Sequence, residues 1–402
     1  DPTMVFVGEN SGEETGSSSK PYTSVSHAVA AGGTNIVVKP GAYEEDGVTI
    51  PAGTTVKPYG ENGSVVLNGA VAVNGGSVSG VVFSGAVTVS GSDSELKNDQ
   101  FKAALKVVGA ADSLISSNDI QAGLDLSGDT GTTVENNVIS GAAAGVSANA
   151  STGLKLYNNT FVNNTKDLQF TNASATVRNN IFSAESTVDG GTVDSDYNCY
   201  SSVTVSEEYF NAAAEANSIW ANPEFVNAKA GDYRLHKLSA CVGAGASDED
   251  TPAVDKNDVA RTSSDIGAYT MVKVENVYYV STEGSDDAAG TQDAPFRTIA
   301  KAVSVLRAGE KVIVMDGEYT ENLSIIKSYD EADSFVISAQ NAGKVTVNGN
   351  VAIVDSSNVT VSGINVNNTA GNAAVVVNNS TGIKLDSASV SAASGNGIQA
   401  AD

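Results

Sequence analysis

Short words with the same order of polar and apolar letters recur along the first half of the chain. The clearest are YNNTF and RNNIF, and weaker copies are KNDQF, SSNDI, ENNVI and DYNCY. Aligned on their last residue, the words give an apolar column with steps of 18 to 22 residues: Phe101, Ile120, Ile139, Phe161, Phe182 and Tyr200. Two positions earlier stands a polar column: Asp99, Asn118, Asn137, Asn159, Asn180 and Asn198. Each word is therefore predicted to be the same corner and strand of one repeating coil.

A period of about 20 residues, built from short strands broken by Gly, Ser or Asp, is typical of stacked coils that bury their apolar faces against one another. Between residues 60 and 210 no window shows helical spacing. The pattern predicts an all-β chain folded as a right-handed parallel β-helix, with the apolar column stacked inside. The asparagine column is expected at the corner, where its amides can bond the backbone and one another. A ligand-binding stripe is the alternative, and a structural corner is favoured because a repeat fold needs a regular column.

The chain begins the same pattern twice. Residues 4–45 match residues 277–322, and both copies carry a Gly-x-Tyr turn, at Gly41–Tyr43 and Gly317–Tyr319. Each copy is predicted to be a strand, a polar loop and a short amphipathic helix, followed by a strand and the turn. Such a helix can cover the open end of a coil stack, as the terminal caps of solenoids do.

We therefore predict two tandem β-helix units, each opened by a short capping helix. The first is residues 1–273, with a closing segment at about 220–270, and the second is residues 274–402 and is incomplete. The second unit has no closing segment before Asp402. We expect its open edge to pair with another copy of the chain.

Three sets of motifs point to a known family. They are the opening VYYVSTEGSDDAAGTQDAPFRTI, the NN-x-F coils, and the closing NPEFVNAKAGDYRLHKLSACVGAG with TPAVDKNDVARTSSDIGAY. Together they resemble secreted right-handed β-helix proteins of bacteria and archaea, which include polysaccharide lyases related to pectate lyases. The resemblance covers most of the chain and implies the fold. It implies no single activity, because that superfamily hosts enzymes, adhesins and surface-layer proteins.

For a lyase, the resemblance implies a lysine or arginine base and a calcium ion held by several aspartates. The charged residues on the coils form no group of acids on one register with a base on the next coil, so we predict no catalytic residue. A catalytic site needs converging groups, and scattered charges are expected to be solvated. The candidates considered are Lys97, Lys102, Lys106, Lys155 and Lys166, with Asp99, Asp112, Asp119, Asp125 and Asp129.

The sequence leaves alternatives open for the two cysteines and for one acidic loop. Cys199 and Cys241 are the only cysteines, and they form either one disulfide or two buried thiols. The acidic loop at 284–293 carries Asp286, Asp287 and Asp293. These could bind calcium, which takes several oxygen ligands, or the loop is simply polar. No other cofactor is predicted.

The net charge of −25 disfavours nucleic acid and anionic membranes as partners, and no apolar stretch is long enough to span a bilayer. We therefore expect an extracellular, acidic protein of the cell surface that self-assembles through its β-helix ends or edges, as a sheath, S-layer or filament subunit. An archaeal sheath protein is the narrowest form of this prediction. The predicted partner is the chain itself, with surface polysaccharide as a further candidate. The alternative is a secreted calcium-dependent polysaccharide lyase or a carbohydrate-binding protein, and the sequence leans against an enzyme.

Overall fold

The computed structural model describes residues 4–45, 47–201, 215–236, 239–271, 277–307, 309–328, 334–370, 373–392 and 395–401. The chain divides into two compact units. The first comprises Asp1–Phe225 and Tyr233–Val272, and the second Val226–Asp232 and Lys273–Asp402. Each unit has a separate hydrophobic core.

Parallel strands from successive coils build three faces of the first unit, which is a right-handed parallel β-helix as predicted. Face A precedes the asparagine corner: Met4–Val7, Asn35–Val38, Thr55–Pro58, Ser77–Ser79, Glu95–Lys97, Leu114–Ser116, Thr133–Glu135 and Leu154–Tyr157. Face B follows the corner: Gly41–Glu44, Val65–Asn68, Val81–Phe83, Gln100–Phe101, Asp119–Ile120, Val138–Ser140, Thr160–Val162, Ile181–Phe182, Cys199–Tyr200 and Ile219–Trp220. Face C completes each coil: Val48–Pro51, Val71–Asn74, Val87–Val89, Leu105–Val108, Leu124–Ser127 and Ala144–Asn149.

Two longer strands, Lys166–Arg178 and Thr187–Asp196, pair with each other in parallel. The former continues face C with its first part and face A with its second part. Two further strands, Phe225–Asn227 and Asp232–Leu235, form a separate two-stranded sheet, and a 3-10 helix spans Ala228–Ala230.

The second unit repeats the plan with three parallel sheets. The first contains Val277–Val280, Lys311–Val314, Phe335–Ala339, Val359–Ser362 and Lys384–Asp386. The second contains Gly317–Tyr319, Val345–Asn348, Ile364–Asn368 and Val390–Ala392. The third contains Leu323–Ile325, Val351–Val354, Val375–Asn378 and Ile398–Ala401.

The predicted apolar column lies inside face B. Its members are all at most 2% exposed: Phe101, Ile120, Ile139, Phe161, Phe182 and Tyr200. Phe161 stacks on Phe182 with ring centroids 5.0 Å apart, and Phe182 stacks on Tyr200 at 5.4 Å. Face-to-face stacking at the spacing of parallel strands keeps each ring in contact with the coil above and below.

Both units open with the helix that the sequence predicted, and both hold it in the same way. In the first unit the helix is Val25–Ala30, and the Glu45 carboxylate accepts the backbone N–H groups of Val25 and Ser26. In the second the helix is Ile299–Val305, and Glu321 accepts those of Ile299 and Ala300, each at 2.9 Å. A carboxylate at a helix N-terminus satisfies donors that have no partner within the helix. Among the described residues no helix is long and apolar enough to cross a membrane.

Candidate functional site

The asparagine corner of the first unit is where polar side chains gather. The residue before each column position has a left-handed backbone, with φ between 54° and 60°: Asn98, Ser117, Asn136, Asn158, Asn179 and Tyr197. Apart from glycine, asparagine and aspartate adopt this conformation most readily. The residue with the left-handed backbone is therefore the one before the column residue. The column residue has a different structural role.

The column residues form a buried ladder of side chains. Asn180 Oδ1 accepts the backbone N–H of Asn159 at 2.9 Å and the amide of Asn159 at 3.0 Å. Asn159 repeats this toward Asn137, at 3.0 Å for each bond. Each amide also donates to a face A carbonyl, as Asn159 does to Val134 at 2.8 Å. These side chains are buried and fully used within the fold, so they present no ligand-binding stripe.

The closing segment, here residues 239–271, runs along the outside of this corner. The left-handed asparagines hold it with their amides: Asn136 donates to the Val254 carbonyl at 2.9 Å, Asn158 to Asp265 at 2.9 Å, and Asn179 to Ala246 at 3.0 Å. The chain leaves the coils only after Trp220, because Ile219–Trp220 still pairs with Cys199–Tyr200.

Charges of the coils pair with charges of the closing segment. Lys97 Nζ lies 3.3 Å from Asp258 Oδ1, and Lys155 Nζ lies 2.6 Å from Asp250 Oδ1. Lys256 lies 3.3 Å from Asp119, with only 9% of its side chain exposed, and donates to the Ser117 carbonyl at 2.7 Å. Burial lowers the pKa of Lys256, and the neighbouring carboxylate of Asp119 opposes that shift.

Arg261 is the central anchor of the segment. Its Nη2 donates to Asn136 Oδ1 at 2.7 Å and to the Gly267 carbonyl at 2.9 Å, as the planar guanidinium fork allows. Burial lowers the pKa of Arg261 to about 10, which leaves it charged at neutral pH. Beside it lies a pocket of about 200 Å³, lined by Asp248, Thr251, Ser263 and Asp265 among others.

The remaining candidates for acid–base chemistry are spread over different surfaces. Lys102 and Lys106 are exposed, Lys166 is half-buried, and Asp112 is exposed. Asp125 accepts hydrogen bonds from two serine hydroxyls, Ser127 and Ser147. Asp99 and Asp129 are buried. The structure thus brings Lys97, Lys155 and Asp119 to one corner, but each faces an opposite charge of the closing segment and not a group of acids.

For Asp286, Asp287 and Asp293 at the second opening, the sequence left open a calcium site or a plain polar loop. Within the described ranges, no group of three or more His, Cys, Asp or Glu side chains is placed to hold a metal ion. The carboxylate of Asp286 accepts the N–H groups of Arg297 and Thr298 and the Thr298 hydroxyl, at 2.9 to 3.0 Å. Asp287 and Asp293 are exposed.

Cys199 and Cys241 are brought into one buried cluster as free thiols. A hydrogen bond with Cys241, together with burial, raises the pKa of Cys199, so that it stays protonated at neutral pH. We expect two alkylatable thiols in protein that is denatured without reductant, and slow alkylation of the native protein because both side chains are buried. Intact mass measures this. An unreduced protein that takes up no alkylating reagent after denaturation would show the disulfide instead.

A family model described as periplasmic copper-binding protein (NosD) matches residues 32–233. The chain belongs to this family. A second model, a protein of unknown function called DUF1565, matches residues 282–324 of this NosD-family chain, which include the second capping helix. Neither match supports the narrower prediction of an archaeal sheath protein.

Among curated proteins, pectate lyase PEL9 of Emericella nidulans is 41% identical over 73 residues, which are 18% of this chain and 18% of that enzyme. The aligned part is thus less than a fifth of the relative. Among solved structures, pectate lyase Pel9A aligns with 68% of this chain and 97% of its own, at a TM-score of 0.40 and 14% identity. The Streptococcus pneumoniae surface protein and adhesin PfbA aligns with 93% of each chain, at a TM-score of 0.27 and 10% identity. At these values we draw no functional conclusion from the two structures.

Among the described residues, no group of three or more His, Cys, Asp or Glu side chains is placed to hold a copper ion. Cys199 and Cys241 supply two soft sulfur donors, whereas a zinc site generally combines three or four protein ligands. Of the histidines, His27 is exposed and lies 3.0 Å from Glu14. His236 is buried.

Proposed function

We propose that this NosD-family chain is a structural protein of the cell surface that associates with copies of itself, and that it is not a polysaccharide lyase. The observation that carries the proposal is the pairing of Lys97, Lys155 and Asp119 with the closing segment. A lyase needs a free base beside a group of acids, and here the coil charges at the corner stabilise the fold.

Self-association is proposed through strands at the ends of the faces. Gly41–Glu44 stands at the end of the strand order of face B, whereas Val48–Pro51, at the end of face C, lies against the capping helix. An end strand has a row of backbone N–H and C=O groups that can pair with another chain, and a second copy offers strands of the same spacing. The net charge of −25 opposes such contacts. Assembly should therefore depend on salt or divalent cations, which screen the repulsion.

The second candidate is a secreted protein that binds or cleaves polysaccharide. The observation in its favour is the 41% identity with a pectate lyase over 73 residues. In that case surface polysaccharide is the partner, and calcium would be needed for cleavage.

Two measurements on the purified chain separate these functions. We expect light scattering to show a rise in mass as salt or calcium is added, because screening permits contacts between acidic subunits. We expect no increase in the absorbance of unsaturated uronate when pectate or alginate is the substrate. A chain that stays monomeric throughout, or a clear release of unsaturated product, would reject the structural function in favour of the second candidate.

A further inference from the structure

The asparagine ladder ends at a residue of different chemistry. Asp99 occupies the column position next to Asn118, one coil toward the opening, and is only 1% exposed. Asn118 Oδ1 accepts the backbone N–H of Asp99 at 2.8 Å, and Asp99 Oδ1 accepts that of Val81, also at 2.8 Å. Asp99 Oδ1 therefore does what every asparagine Oδ1 of the ladder does.

The Nδ2 atom of each ladder asparagine shows which backbone group Asp99 Oδ2 is expected to contact. In each ladder asparagine, Nδ2 donates to a carbonyl oxygen of face A, and the acceptors are register partners: Leu96, Ile115, Val134, Leu156 and Val177. The next register partner in this row is Val78, which pairs with Leu96. Because the coils repeat, Asp99 Oδ2 occupies the position that Nδ2 has in a ladder asparagine. In that position the asparagine would donate an N–H to the Val78 carbonyl.

An ionised carboxylate does not suit this place. Asp99 Oδ2 is buried and has no hydrogen-bond partner among the described residues. A charged oxygen that faces a carbonyl without a donor bears the full cost of desolvation, whereas a protonated oxygen can donate there.

We propose that Asp99 is a neutral carboxylic acid in the folded protein and donates its proton to the Val78 carbonyl, so that the ladder closes only when this proton is bound. The first unit therefore contains a proton-dependent corner, which is stronger in mildly acidic than in alkaline medium.

The surrounding charges are compatible with a neutral Asp99. Burial raises the pKa of Asp99 well above its ordinary value, and the hydrogen bond from Val81, the positive charge of Lys256 and the backbone of Lys97 act against that shift. Glu95 adds to the rise. Lys256 is itself committed to Asp119 and to the Ser117 carbonyl, so burial prevails.

A second buried aspartate, Asp129, lies at another corner and is expected to add to the same pH dependence of stability. Asp129 Oδ1 accepts the backbone N–H of Ala110 at 3.0 Å, and its Oδ2 is buried without a partner among the described residues. Burial raises the pKa of Asp129 to about 6.

The sign of the effect on stability follows from proton binding. Below the ordinary aspartate pKa of about 4, both the folded and the unfolded chain carry the proton. As the pH rises, the unfolded chain releases it first, so the free energy of unfolding falls until the pKa of the folded state is reached.

The test compares denaturant unfolding of wild type, Asp99→Asn and Asp189→Asn between about pH 5 and about pH 9. Asp189 is exposed on the strand Thr187–Asp196, so its variant controls for the loss of one charge. We expect the unfolding midpoint of wild type to fall below that of Asp99→Asn progressively as the pH rises, whereas Asp189→Asn follows wild type. A constant gap between wild type and Asp99→Asn at every pH would overturn the proposal, since it would mean an ionised carboxylate bonded to buried water.

An infrared measurement on the wild type does not depend on the folding of any variant. In heavy water at about pH 7 most carboxyl groups are ionised. We expect the carbonyl band of a protonated acid to persist there, and to be lost from Asp99→Asn in the difference spectrum if that variant folds. Absence of the band from the wild type would contradict a neutral Asp99.

Discussion

Replacing Phe161 by alanine should lower the free energy of unfolding of the first unit by about 3–5 kcal/mol. Phe161 is fully buried, pairs with Ile139 in the parallel register of face B and stacks on Phe182. Its removal leaves a cavity between coils that neighbouring strands cannot close, because their hydrogen bonds fix the spacing. Denaturant unfolding followed by circular dichroism measures the loss.

The matched control is Tyr59→Ala, since Tyr59 is also aromatic but 58% exposed. It should cost much less than Phe161→Ala. If the two variants lost similar stability, the inward register of the apolar column would be wrong.

Replacing Asn159 by alanine should cost about 2–6 kcal/mol. The variant leaves the buried N–H of Asn137 without a partner, which costs about 1–3 kcal/mol, and removes the amide donor to the Val134 carbonyl, where each lost bond costs about 0.5–1.5 kcal/mol. The Asn180 carbonyl oxygen also loses a donor. Thermal and denaturant unfolding both report this change.

An exposed asparagine provides the comparison. Asn62 lies exposed in a turn of the first unit, and Asn62→Ala is expected to change stability only slightly. Equal losses in Asn62→Ala and Asn159→Ala would show that the ladder does not stabilise the fold.

The core of the first unit is predictable from the sequence repeat. Two columns with the same offset, such as Asn159 with Phe161 and Asn180 with Phe182, allow only one strand-and-corner register. The capping helices are also predictable, because Ile299, Ala302 and Val303 share one helical face, and the structure buries all three. The local sequence pattern is enough to predict these elements, because each coil contacts only the neighbouring coils.

The charged surface is less predictable, because its partners are distant in sequence. Lys97 pairs with Asp258 and Lys155 with Asp250, and no periodicity sets the path of the closing segment that brings them together. The contacts of the loop at 284–293 were not predictable either, because its acidity gave no sign that Asp286 would accept the backbone N–H groups of Arg297 and Thr298.

One signal was present in the sequence and was missed. Glu45 and Glu321 each stand two residues after the tyrosine of a Gly-x-Tyr turn, at Tyr43 and Tyr319. In both units this glutamate holds the N-terminus of the capping helix. The shared offset in the two copies identifies a structural role that neither copy shows alone.

Negative-stain electron microscopy of the purified chain, with and without added salt and calcium, tests the proposed structural role most directly. We predict ordered filaments, tubes or sheets once the net charge of −25 is screened. Isolated single particles under every one of these conditions would contradict it.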